Sequence, residues 1–200
     1  PISIALAIGL AAAAIPAGAT AQTMGEACQS LISTAEQRYN IPTGLLMAIA
    51  LTESGDKTGG PNPHAMNIAG MTYIAPNIEN MAGVIQRGYN TGQTSIDVGC
   101  MQVNLKYHAH NFRSPYELLN SRVNVDYGAR YLASLANDTK SWRDAVMTYH
   151  NAKNPARRAW YGCNVWNNYL RVHRAGQGYM ACGKANGSST ASTIAPIRVA

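Results

Sequence analysis

The sequence predicts a mainly α-helical fold, one helical domain carrying at most a small β-hairpin. Three observations support this. Apolar residues recur at helical spacing over most of the chain, helix-capping residues stand at the heads of those runs, and Gly/Pro breaks crowd into one stretch, 59–76. At 200 residues, 46% hydrophobic and 13% charged, the chain can bury one substantial core and falls outside the disordered class.

The first segment, Ile2 to Ile15, is an apolar, Ala-rich run ending at Pro16, and Ala19-Thr20-Ala21 then supplies the small-x-small pattern of a signal-peptidase site. Residues 1–21 are expected to be a signal peptide, with the sequence starting inside it because the usual Met and basic residues are missing. The run is short of the roughly 20 apolar residues of a membrane span. Export to the periplasm, with no stable membrane span after processing, is the preferred reading over a retained anchor. The domain proper is placed at 22–182, and the Ser/Thr/Ala/Gly-rich tail 183–200 lacks periodicity and is expected to be disordered.

Thr23-Met24-Gly25-Glu26 reads as a capping box, followed by a helix face of Ala27, Cys28, Leu31, Ile32, Ala35 and Tyr39, which Asn40 ends. A second helix opens around Pro42 and runs to Gly55. It is apolar nearly all round and should be buried. Met66 to Tyr73 can hold a short strand or hairpin. Asn77 caps a helix through Met81, Val84 and Ile85 that ends near Gly92. Ser114-Pro115-Tyr116-Glu117 combines a capping box with Pro at the first helical position, and a longer helix follows from about Arg122. Ser141 caps the next helix, and Asn154-Pro155 opens the last.

Four cysteines with no C-x-x-C pair argue against zinc and for two disulfides in an oxidising compartment. Three connectivities are possible. Cys28–Cys100 with Cys163–Cys182 is preferred, because the second bridge would tie down a C-terminal extension locally. The net charge of +6 lies entirely beyond Ala21 and suits an anionic polymer, a membrane surface or nucleic acid, without choosing among them.

Glu53 is the main candidate for chemistry. It lies in the last turn of the most apolar helix, where partial burial and the negative end of the helix dipole both disfavour ionisation. A carboxylic acid still protonated near neutral pH can donate a proton to a glycosidic oxygen. A second candidate is Ser95 to Asn104, which mixes apolar residues with amides that suit a groove for sugar hydroxyl and N-acetyl groups. A third is Tyr149-His150-Asn151, at the end of the Ser141-capped helix.

Together, Glu53-Ser54, Gly99-Cys100-Met101-Gln102-Val103-Asn104 and Tyr149-His150-Asn151 resemble the E-S, G-L-M-Q-x-N and A-Y-N motifs of the soluble lytic transglycosylase domain. Each motif alone is weak, but the ordered set is specific, and the resemblance covers roughly Cys28 to Trp166. It implies a lysozyme-like α+β fold dominated by helices, with a deep glycan groove. It also implies cleavage of the β-1,4 bond between N-acetylmuramic acid and N-acetylglucosamine in peptidoglycan glycan strands, leaving a 1,6-anhydromuramic end.

Carried over motif by motif, Glu53 is the catalytic acid and base. Ser54 would orient Glu53 or the substrate N-acetyl group, Met101 and Gln102 would line the cleavage point, Asn104 would support it, and Tyr149 would hydrogen-bond Glu53. Cys100 stands where the motif has leucine. Tyr149-His150 replaces Tyr-Asn, so either His150 or Asn151 fills the asparagine slot. The short chain resembles specialised members that serve secretion, conjugation or pilus machines.

Two rivals accompany this reading: a goose-type lysozyme-like hydrolase, with Asp56 or Asp97 holding a water, and a wall-binding assembly factor without turnover. Nothing implies a cofactor. His108-x-His110 lacks metal-ligand spacing and reads as a solvated loop. Arg143, Lys153, Arg157, Arg158, Arg171 and Arg174 form no nucleic-acid motif and could line the outer groove.

Overall fold

Glu36 and Gly44 show how local chemistry sets the framework. In a computed structural model of the chain, which describes residues 24–56, 59–150, 153–173 and 182, helix α1 spans Met24–Arg38 and buries Cys28, Ile32 and Ala35. Helix α2 spans Leu45–Ser54, starting later than the expected Pro42. Gly44 before it is left-handed (φ 82°), and the buried Glu36 carboxylate accepts from the Gly44 and Met47 backbone N–H groups at 2.8 and 3.1 Å. A side chain from the preceding helix thus satisfies donors that no local cap serves. The expected signal peptide, the Thr23 cap, Asn151 and the 183–200 tail lie outside the described residues.

The expected hairpin forms from β1 (Ala65–Ile68) and β2 (Met71–Ile74), joined by Ala69 and Gly70, both at positive φ, as a two-residue hairpin turn requires. It is extended by two further strands, β3 (Ile96–Val98) and β4 (Val103–Asn104). The result is an antiparallel sheet in the order β2-β1-β3-β4. Helix α3 (Ile78–Thr91) begins at the Asn77 cap and stops at left-handed Gly92.

After the short helix α4 (Leu105–His108), the Ser114 capping box produces one 3-10 turn, Pro115–Leu119. Asn120 then caps α5 (Ser121–Thr139) by accepting from Arg122 and Val123. Helices α6 (Trp142–Tyr149) and α7 (Pro155–His173) follow their Ser141 and Asn154 caps. Helix α2 packs against α7, α1 against α5, and α5 against α6. The mainly α architecture with a small sheet is as expected. The two disulfides are Cys28–Cys100 and Cys163–Cys182, the preferred pairing. Among the described residues no helix is long and apolar enough to cross a membrane.

Candidate active site

The penultimate residue of α2 is Glu53, and its carboxyl opens into a cavity of about 420 Å³. The side chain is 14% exposed. The cavity is walled by the sheet (Asp97 on β3, Gln102 before β4, and Val103 and Asn104 on β4), by α4 and α5 (Tyr107, His108, Tyr127, Tyr131), and by Tyr149, His150 and Lys153. Three effects set the protonation of Glu53. Burial raises its pKa from 4.5 to about 7; the Tyr161 hydroxyl, donating to Oε1 at 2.7 Å, pulls it down, and the Asp97 charge pushes it up again. The side chain is therefore an acid that crosses between its two forms near neutral pH.

The surrounding groups match that role. Burial and the neighbouring Glu53 hold the Tyr161 and Tyr149 hydroxyls well above the usual phenol range, so both stay neutral donors. The His150 ring lies flat on Tyr161 (centroids 4.5 Å apart, planes 8°), with Nδ1 3.9 Å from Glu53 Oε1. Burial, then the Arg157 charge, lowers the His150 pKa and favours a neutral imidazole. Burial likewise raises the pKa of Asp97, against the Asn104 amide that donates to Oδ1 at 2.7 Å. Among the described residues no group of three His, Cys, Asp or Glu side chains is placed to hold a metal ion.

The model of one protein family, the transglycosylase SLT domain, matches residues 30–162, well over half the chain. The chain belongs to this family. No curated protein and no solved structure matches it. Membership makes the chain a lysozyme-like, glycan-cleaving transglycosylase of the kind that acts on peptidoglycan.

Within this SLT domain the motif residues are gathered around Glu53, but several sit differently from expectation. Ser54 does not face the cavity: its buried hydroxyl donates to the Ala50 carbonyl at 3.1 Å and the Cys100 carbonyl at 2.7 Å. It ties the Glu53 helix to the 99–102 turn. Met101 does not line the groove either; it is fully buried beneath the floor, where Gly128 leaves it room. A Cβ on Gly128 would come within 2.8 Å of the Met101 side chain and 3.0 Å of the Tyr149 hydroxyl.

Gln102 does line the cavity. Its backbone is left-handed (φ 45°), and its amide donates to the Ala65 and Gly99 carbonyls at 2.8 and 2.9 Å. Asn104 supports the wall by binding Asp97 while its Oδ1 caps α4. Tyr149 reaches the Met101 carbonyl at 3.2 Å, and the hydrogen bond to Glu53 that was expected of it belongs to Tyr161.

Other expectations are also revised. His108 is not in a solvated loop; it ends α4, walls the cavity and holds the Tyr127 hydroxyl at 2.8 Å. Of the late basic residues, Lys153 lines the cavity, whereas Arg143 borders a separate apolar recess. Asp97 faces the cavity, while Asp56 accepts from Asn62 at 3.0 Å.

Sequence reading missed Tyr161 and Asn124. Tyr161 lies two residues before Cys163 on α7, and its helical spacing from the apolar face was the only available signal. Asn124, fully buried, accepts from the Met101 N–H at 2.9 Å and donates to the Val98 carbonyl at 2.7 Å. Gly99, at φ 75°, lies so close that a Cβ there would meet Asn124 at 2.8 Å.

Proposed function

We propose that the protein is a lytic transglycosylase that cleaves the β-1,4 bond between N-acetylmuramic acid and N-acetylglucosamine, with Glu53 as its single acid and base. The observation that carries this reading is the Glu53 carboxyl itself, buried at the cavity wall, held by Tyr161 and shifted to a pKa of about 7. In its protonated form it donates to the leaving glycosidic oxygen as the C1–O bond breaks. The substrate N-acetyl oxygen stabilises the positive anomeric carbon. The resulting Glu53 carboxylate then takes the proton of the muramyl C6 hydroxyl, whose oxygen bonds to C1 and closes the 1,6-anhydro ring. Substrate groups supply both nucleophiles, so one carboxylate is enough, unlike the two-carboxylate glycosidases.

Gln102 and His150 are proposed to contact the sugar at the cleavage point. Ser54, Met101 and Asn104 are proposed to act through the wall and floor that carry it. Asn151 remains a candidate for the asparagine slot beside His150. The action on peptidoglycan supports an exported, periplasmic location; service to a secretion, conjugation or pilus machine is proposed by likeness to the specialised members alone.

Hydrolysis is the second reading, favoured by one observation: Asp97 shares the cavity with Glu53 and could hold a water opposite it. Mass spectrometry of digested peptidoglycan separates the two. Anhydromuramic ends are expected, and reducing ends without them would establish hydrolysis. Release of neither product would favour a wall-binding factor without turnover.

A further inference from the structure

Beyond Tyr127 and Tyr131, a second cavity of about 370 Å³ adjoins the catalytic one and shares those two rings with it; Asn111, Arg130 and Ser134 complete its walls. The shared rings lie nearly parallel, at 10°, with centroids 6.4 Å apart, and Tyr131 in turn meets the Tyr149 ring at 5.5 Å. The wall is therefore aromatic and continuous from beside Glu53 outward. Tyr127 is held in place at its hydroxyl, which contacts His108 Nδ1 at 2.8 Å and accepts from the Asn111 amide at 3.0 Å.

The charge at the outer end has one sign. The Arg130 guanidinium lies over the Tyr127 ring, 5.5 Å from its centroid, and among the described residues no acid lines this cavity. The nearest acid along the helix, Asp126, is already bridged by Arg38 at 2.9 Å and bound by the Tyr39 hydroxyl at 3.0 Å. A guanidinium stacked on an aromatic face keeps its planar donor fork, which matches a carboxylate.

We propose that this cavity is an outer subsite in which Arg130 binds a carboxylate carried by the glycan strand, on either the lactyl group or the peptide stem, while Tyr127 and Tyr131 present the aromatic wall between it and the cleavage point. The subsite rests on the peptidoglycan reading and adds a substrate preference to it: strands are bound through their acidic substituents as well as their sugars. Its contribution weakens as salt screens it.

The test is oligosaccharide binding to the full chain carrying Glu53→Gln, by calorimetry at low salt. Three tetrasaccharides are compared: a chitin oligomer with no carboxylate, a muramyl oligomer with free lactyl groups, and one with peptide stems. Adding Arg130→Gln should weaken a carboxylate-bearing oligomer by about fivefold, the upper range for an exposed ion pair, and leave the chitin oligomer unchanged. Arg130→Lys should recover only part of the affinity, because an ammonium keeps the charge but not the planar fork. The muramyl oligomer that responds identifies the source of the carboxylate. Equal weakening of all three, or of none, would overturn the subsite. Binding of none of the three to the Glu53→Gln chain itself would overturn the peptidoglycan reading, and the subsite with it.

Discussion

The Tyr161 hydroxyl donates to Glu53 Oε1 at 2.7 Å across 108 residues of sequence. One helix supplies the acid and another tempers its protonation. Because the hydrogen bond favours the carboxylate, it lowers a pKa that burial has raised. Tyr161→Phe should therefore raise the Glu53 pKa further. The alkaline limb of the pH–kcat profile should move to higher pH, and kcat at the optimum should fall about tenfold, the cost of losing a hydrogen bond to a charged group. An alkaline limb that stays in place would show that Tyr161 does not act on Glu53.

Asp97→Asn should move the same limb the other way. The Asp97 charge raises the Glu53 pKa, so neutralising it lets Glu53 ionise at lower pH. The substituted amide still fills the place beside Asn104. The rate should also fall by about tenfold or more, since a negative group facing the cavity stabilises a positive centre there. Opposite shifts in Tyr161→Phe and Asp97→Asn, read from pH–rate profiles on one substrate, are the expected pattern.

Glu53 should cost stability where it is ionised. Its folded pKa of about 7 lies above the ordinary 4.5, so the folded chain binds its proton more tightly than the unfolded chain. Below pH 4.5 both states are protonated and nothing is lost. Between 4.5 and 7 the penalty grows, and above 7 it levels off at about 3 kcal/mol. Glu53→Gln should thus raise Tm at pH 8 and leave it unchanged at pH 4. Equal Tm values at both pH values would mean that the carboxyl is solvated.

The Cys28–Cys100 bridge spans 72 residues, against 19 for Cys163–Cys182, and ends in the turn whose Cys100 carbonyl accepts from Ser54. Replacing Cys28 and Cys100 by Ser should cost about 4 kcal/mol by loop-closure entropy, against about 3 kcal/mol for the shorter bridge. It should also depress kcat by loosening the turn that carries Gln102, whereas the Cys163/Cys182 double variant should affect Tm more than kcat. Thermal unfolding and initial rates on the same preparations check both.

The helices were legible because their caps are chemical: Asn77, Ser141 and Asn154 each accept the backbone bonds their position predicts. The start of α2 was not, because its N–H groups are served by Glu36 from another helix, a contact with no local pattern. Strands β3 and β4 escaped because two or three residues cannot display an alternating pattern. Glu53 stood out from its apolar surroundings alone. The hydroxyl that holds it did not, since the motif points to Tyr149 and nothing in the sequence marks Tyr161, which α7 brings to the carboxyl. The motifs place Ser54 beside the acid and Met101 at the cleavage point, but motif order says only that residues are near one another, and not which way their side chains point.

The central claim is that one carboxyl both gives and takes the proton, and its most direct test is the rate of anhydromuramic end formation by Glu53→Gln at pH 6 to 7. A folded variant, matched to the parent by circular dichroism, should be slower by about a thousandfold or more, the loss expected when a general acid and base are removed together. Anhydro ends appearing within tenfold of the parent rate would contradict the account.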